Sequence, residues 1–174
     1  MTTSKKSFPK LIFWQWVQIV LAAALLIFWI SSCTDSRIVS QASFDQITQA
    51  VLQSVNQELY PPMDGQSAKN YLALDESQAN LWSLYRKNDA FDASEMLIAK
   101  FETPQQQENL KKAIEERIAQ QINTSEGYAP AAASLMKDAL VDIQGNYALY
   151  YVGENPDSVK EAFLKALKQK GDGQ

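Results

Sequence analysis

Leu11–Ile30 reads LIFWQWVQIVLAAALLIFWI and carries no charge. A helix of these 20 residues would rise about 30 Å, the thickness of a bilayer's hydrocarbon core. Trp14, Trp16 and Trp29 fall towards its two ends, where indoles settle at membrane interfaces. Lys5, Lys6 and Lys10 precede it with no acid, which predicts a cytoplasmic N-terminus and an exported remainder. Gln15 and Gln18 are its only polar residues. A basic leader before an all-apolar helix argues against a buried core helix.

Ile30-Ser31-Ser32-Cys33 follows at once and holds the chain's one cysteine. It has the form of a bacterial lipobox: an aliphatic residue, two small residues, then Cys. In that reading residues 1–33 are a lipoprotein signal, and Cys33 becomes the acylated N-terminus of the mature chain. The other reading is an uncleaved transmembrane anchor with an incidental Cys33. Both attach the remainder to the outer face of the cytoplasmic membrane, through residues 11–30 or through acyl chains on Cys33. The expected organisation is anchor or signal over 1–33, a polar tether over 34–42, and an extracytoplasmic domain over 43–174.

Composition removes several functions. There is no His, so His-ligated metals and triads with a His base lack their parts. One Cys forms no intrachain disulfide framework. Without residues 1–33 the remainder has 13 basic and 20 acidic residues, a formal charge of −7. That balance speaks against nucleic acid and against anionic lipid surfaces. No phosphate-cradling glycine pattern or calcium loop is present, and no cofactor is expected.

The exported part alternates helical and strand-like runs. Phe44, Ile47, Val51, Val55 and Leu59 recur at helical spacing, which predicts a helix over 43–59 ended by Pro61-Pro62. Residues 67–74 suit a short helix. Residues 80–86 and 95–101 read as strands around a polar loop. Thr103-Pro104 opens the clearest helix, with Gln106 completing a capping box and Leu110, Ile114, Ile118 and Ile122 forming its stripe. Residues 130–137 suit a second short helix. Residues 140–143 and 147–152 flank Gly145-Asn146, a hairpin signal. Asn155-Pro156 starts the last helix as cap and first residue. The expected fold is α+β: an antiparallel four-stranded sheet built from two hairpins, with helices packed on one face.

Residues 95–101, the helix 104–122, Glu126-Gly127-Tyr128 with Pro130, and Gly145-Asn146-Tyr147 with its strand together resemble an uncharacterised bacterial family, the DUF4358-like domains of unknown function. The likeness covers about residues 67–168. It implies a small lipoprotein or single-span membrane protein of Gram-positive clostridial type, and it transfers no activity or catalytic residue.

Trp82, Tyr128, Tyr147 and Tyr150 are the candidate binding surface, as an aromatic platform for a partner or envelope ligand. The competing explanation is ordinary core packing of an aromatic-rich sheet. Carboxylates such as Glu102 and Asp142 are candidates for paired acid chemistry, whereas Glu115 and Glu116 diverge on their helix. The expected function is non-enzymatic: recognition of a protein or envelope ligand. A small carboxylate-dependent envelope hydrolase is the alternative, and a purely structural envelope role is a third reading.

Overall fold

The computed structural model describes residues 40, 42–75, 77–89 and 91–169. The apolar segment 11–30 and Cys33 lie outside the described residues. Among the described residues no helix is long and apolar enough to cross a membrane.

Helix α1 is Phe44–Leu52, started by a full Ser43/Gln46 capping box. It stops about two turns short of the expected end. The Ser54 hydroxyl donates to the Val51 carbonyl at 2.6 Å, and Asn56 caps a separate 3-10 turn over Gln57–Leu59. Such local side-chain bonds compete with helix continuation. Helix α2, Gly65–Leu72, begins at Asp64, whose carboxylate accepts from the Gln66 and Ser67 amides. These bonds and the Ser67 hydroxyl hold the Asp64 carboxyl below the usual range. Strands β1 (Leu81–Arg86) and β2 (Glu95–Lys100) follow as a hairpin. Helix α3 is Pro104–Ser125, with the predicted Thr103/Gln106 box. Helix α4 is Pro130–Lys137. Strands β3 (Leu140–Gln144) and β4 (Tyr147–Val152) form the second hairpin. Its two-residue turn has Gly145 at positive φ, as a tight hairpin with glycine first requires. Helix α5 is Pro156–Leu167. Asn155 does precede it, but in the left-handed region and with no side-chain cap bond.

The four strands form one antiparallel sheet in the order β1-β2-β4-β3. The expectation of an α+β chain with this sheet holds. The expectation of helices on one face does not. β2 and β4 occupy the centre, and both of their faces are buried. On one face Met96, Ile98, Tyr147, Leu149 and Tyr151 pack under α1 and α5, including Ile47, Val51 and Phe163. On the other, Leu97, Ala99, Ala148, Tyr150 and Val152 pack under α2, α3 and α4, including Leu72, Leu110 and Met136. The physical reason is in the strands: EMLIAK and YALYYV are almost unbroken apolar runs, the pattern of strands covered on both sides. The two strand-strand-helix units, β1-β2-α3 and β3-β4-α5, are not related by symmetry, because α3 and α5 lie on opposite faces. A two-fold axis through an antiparallel central pair would put both helices on one face.

Candidate functional site

The sheet has two ends, and they differ. At one, Gly145-Asn146 makes a tight turn. At the other, the 53–64 segment, the 87–94 loop, the 153–155 loop and the first turn of α4 converge. Register places Arg86 opposite Glu95, and Glu95 opposite Val152, so these loops leave the sheet side by side. The 61–63 segment is fixed there by backbone bonds: the Met63 amide donates to the Leu84 carbonyl, and the Arg86 amide to the Pro61 carbonyl.

This loop end carries three adjoining shallow depressions. One is lined by Val55, Leu59, Tyr60, Lys87, Tyr151 and Glu154. A second shares Leu59 and Lys87 and adds Glu58, Asp89 and Asp92. The third shares Asp89 and Asp92 and adds Phe91, Ala93, Ala131 and Leu135. Phe91 is 72% exposed and Leu59 49%. Large apolar side chains exposed beside concave, mixed-polarity surface mark interaction sites. The floor is ordered. Tyr60 and Tyr151 hydroxyls lie 3.3 Å apart, and Tyr151 donates to the Glu154 carbonyl at 2.8 Å. A Cβ on Gly153 would sit 2.6 Å from the Tyr60 oxygen, so the loop presses directly on the tyrosine pair. Asn155 holds its left-handed conformation at the rim, a strain of the kind found at functional loops. Lys87 pairs with Asp92 at 3.0 Å. Burial works against the Asp92 charge, but bonds from Ser94 and Lys87 outweigh it and hold its carboxyl below the usual range.

A second polar assembly lies inside the α2–α3–α4 face. Glu95 is wholly buried and Arg117 nearly so. Arg117 donates to Glu95 Oε1 from Nε at 3.3 Å and to Oε2 from Nη2 at 3.1 Å. Tyr71 donates to Oε2 at 2.6 Å and Tyr150 to Oε1 at 2.5 Å. Arg117 Nη2 also bonds the Tyr71 oxygen. With its amide oxygen turned inward, Gln121 accepts from Arg117 Nη1 at 2.6 Å. Desolvation, then the Glu95 charge, push both phenols far above their ordinary value. Each oxygen of Glu95 therefore accepts from two donors, which fills a carboxylate's capacity. Such a group is held in place rather than available as a general acid or base.

The four aromatic candidates separate. Tyr147 and Tyr150 are 0% exposed, so they do not form an exposed platform. Tyr147 donates to the Ala42 carbonyl on the α1 face. Trp82 is half-buried against the α2–α4 cluster on edge strand β1. Tyr128 is 59% exposed in the connection leading into α4, whose Ala131 and Ala132 line the Phe91 depression. Among the carboxylates, Asp142 accepts from Gln144 at 2.7 Å and pairs with Lys160 at 3.0 Å. Glu115 and Glu116 pair with Lys111 and Lys112 on the exposed face of α3, and Glu102 is exposed. Among the described residues, no three His, Cys, Asp or Glu are placed to hold a metal ion. Sequence reasoning does not single out Phe91 or Leu59 as site residues. The available signal for Phe91 is a lone aromatic inside a polar loop, between Asp89 and Asp92.

No curated protein and no solved structure matches the chain. Residues 53–153 match the family described as a domain of unknown function, DUF4358. That segment is more than half of the chain and runs from the end of α1 to the end of β4, so it contains the sheet, the Glu95–Arg117 assembly and the 53–64 and 87–94 segments at the Phe91 end. The chain belongs to the DUF4358 family.

Proposed function

We propose that the chain is a membrane-anchored extracytoplasmic binding module, non-enzymatic, that engages a protein or envelope ligand through the loop end of its sheet. The observation that carries this reading is the exposure of Phe91 and Leu59 on adjoining depressions, against the self-satisfied state of the buried Glu95 assembly. The anchor rests on the uncharged stretch 11–30 and on Cys33 behind Ile30-Ser31-Ser32, read as a lipoprotein of a bacterial envelope.

The test has two parts. Intact mass of the full chain from its native membrane, beside a Cys33→Ala variant, is expected to show loss of residues 1–32 and gain of acyl chains that the variant lacks. A full-length mass without lipid replaces the lipoprotein by a permanent span. The wild-type chain and a Phe91→Ser/Leu59→Ser double variant are then extracted in mild detergent. The expected result is a co-purifying partner or ligand that the folded double variant loses. Equal recovery by both moves binding away from this end.

A further inference from the structure

We propose that Arg86, beside Tyr71 and Arg117, is a binding site for an oxyanion, a carboxylate or phosphate group. Arg86 ends edge strand β1 and shares the α2–α3–α4 face of the sheet with Glu95, its register partner. Arg86–Glu95 would be the ordinary ion pair for such neighbours. It does not form, because Glu95 already accepts from Arg117 twice, from Tyr71 and from Tyr150. The result is two guanidinium groups and one carboxylate. Both cations lie against the Tyr71 ring, Arg117 at 3.6 Å and Arg86 at 5.2 Å from its centroid. Arg117 is neutralised. Arg86 has no ion-pair partner among the described residues, and its Nε is buried without a hydrogen-bond acceptor.

A buried donor left unmet is costly, and more so when it is charged. The planar guanidinium fork offers parallel N–H donors matched to two oxygens of one carboxylate or phosphate. An incoming oxyanion would satisfy Nε and balance the surplus charge in one contact. Tyr71 and Arg86 are both partly exposed, so a small anion can reach the guanidinium from solvent. Its position at the end of β1 sets it next to the 87–94 loop, yet it uses none of the residues lining the Phe91 depressions. The two sites therefore stand or fall separately.

The test is titration of the full chain in zwitterionic nanodiscs, following the Arg86 Nε–H resonance. Inorganic phosphate, acetate and chloride are compared at constant ionic strength, and a fourth arm adds phosphatidylglycerol to the disc. A saturable shift with phosphate or acetate and not with chloride supports a free oxyanion. Response only to phosphatidylglycerol supports the same chemistry supplied by a lipid headgroup. Arg86→Lys keeps the charge and loses the fork, and is expected to bind about tenfold more weakly. No saturation with any arm, or a response equal to that with chloride, overturns the proposal. Both of those outcomes are read from the wild-type chain and do not depend on a variant folding.

Discussion

The two faces of the sheet are covered in different ways. Under α1 and α5 the contacts are aliphatic and aromatic: Ile47, Val51 and Phe163 against Met96, Ile98 and Leu149. The tyrosines there reach outward, Tyr147 to the Ala42 carbonyl and Tyr151 to the Glu154 carbonyl. Under α2, α3 and α4 an apolar layer encloses Glu95, Arg117, Tyr71 and Tyr150. The family match stops at residues 53 and 153, so it takes in the polar face and leaves α1 and α5 outside. Apolar burial non-directionally closes the first face. The second face is directional, because four donors must arrive at one carboxylate in the right places. The difference separates a cover that tolerates variation from an assembly that fixes how α2 and α3 sit on the sheet.

The largest expected effect tests that distinction. Arg117→Met leaves Glu95 buried and uncompensated, and is expected to destabilise by about 3–5 kcal/mol in urea unfolding. Adding Glu95→Leu to it should recover about half of the loss, since an apolar replacement of a buried pair is often nearly neutral. On the other face Phe163→Ala should cost a similar ~3–5 kcal/mol, but a second apolar truncation at Ile47 should deepen the loss. Rescue on neither face would erase the comparison.

Alkaline stability sharpens it. Burial and the Glu95 charge raise the Tyr150 phenol, whereas only burial raises Tyr147. A phenol raised in the native state keeps its proton after the unfolded chain has lost it. Its contribution is therefore whole below about pH 10 and falls above it by about 1.4 kcal/mol per pH unit for one such group. Tyr150→Phe should flatten the stability-versus-pH slope from pH 10 upward. Tyr147→Phe should flatten it over a narrower range. Equal flattening would mean that neither deeper burial nor the Glu95 charge raises Tyr150 beyond Tyr147.

Ile47→Val, on the apolar face, should cost only about 0.5–1.5 kcal/mol. Smallest is the partly exposed Lys87–Asp92 pair, where Lys87→Ala should cost about 0.2–1 kcal/mol and less at high salt. The Asp92 share has the opposite pH sense from the phenols. Its carboxyl is depressed, so the stability is present above the unfolded value near 4 and lost as pH falls through the folded one.

Local signals in the chain are readable. Thr103-Pro104 with Gln106 fixes the start of α3, and Gly145 fixes the β3–β4 turn, because caps and tight turns depend on a few adjacent residues. The end of α1 is not readable from its apolar stripe, since Val55 and Leu59 continue the spacing past the point where Ser54 breaks it. Double-sided burial is present in YALYYV and EMLIAK, but a short apolar run does not state which elements cover it. Glu95 and Arg117 lie 22 residues apart on different elements, and nothing local ties them. Tyr147 and Tyr150 look like surface candidates by residue type, whereas central strands bury both faces. Phe91 and Leu59 become visible only when the fold brings their loops to one end.

Binding through the loop end is tested by a photo-crosslinking amino acid placed singly at Leu59 and Phe91, and at Glu115 and Glu161 on exposed helix faces, in the full chain in its native cells. A discrete crosslinked species is expected from positions 59 and 91, and none from 115 and 161. Crosslinking from the helix positions with none from 59 and 91 would contradict it, and would place binding on the helical layers instead of the loop end.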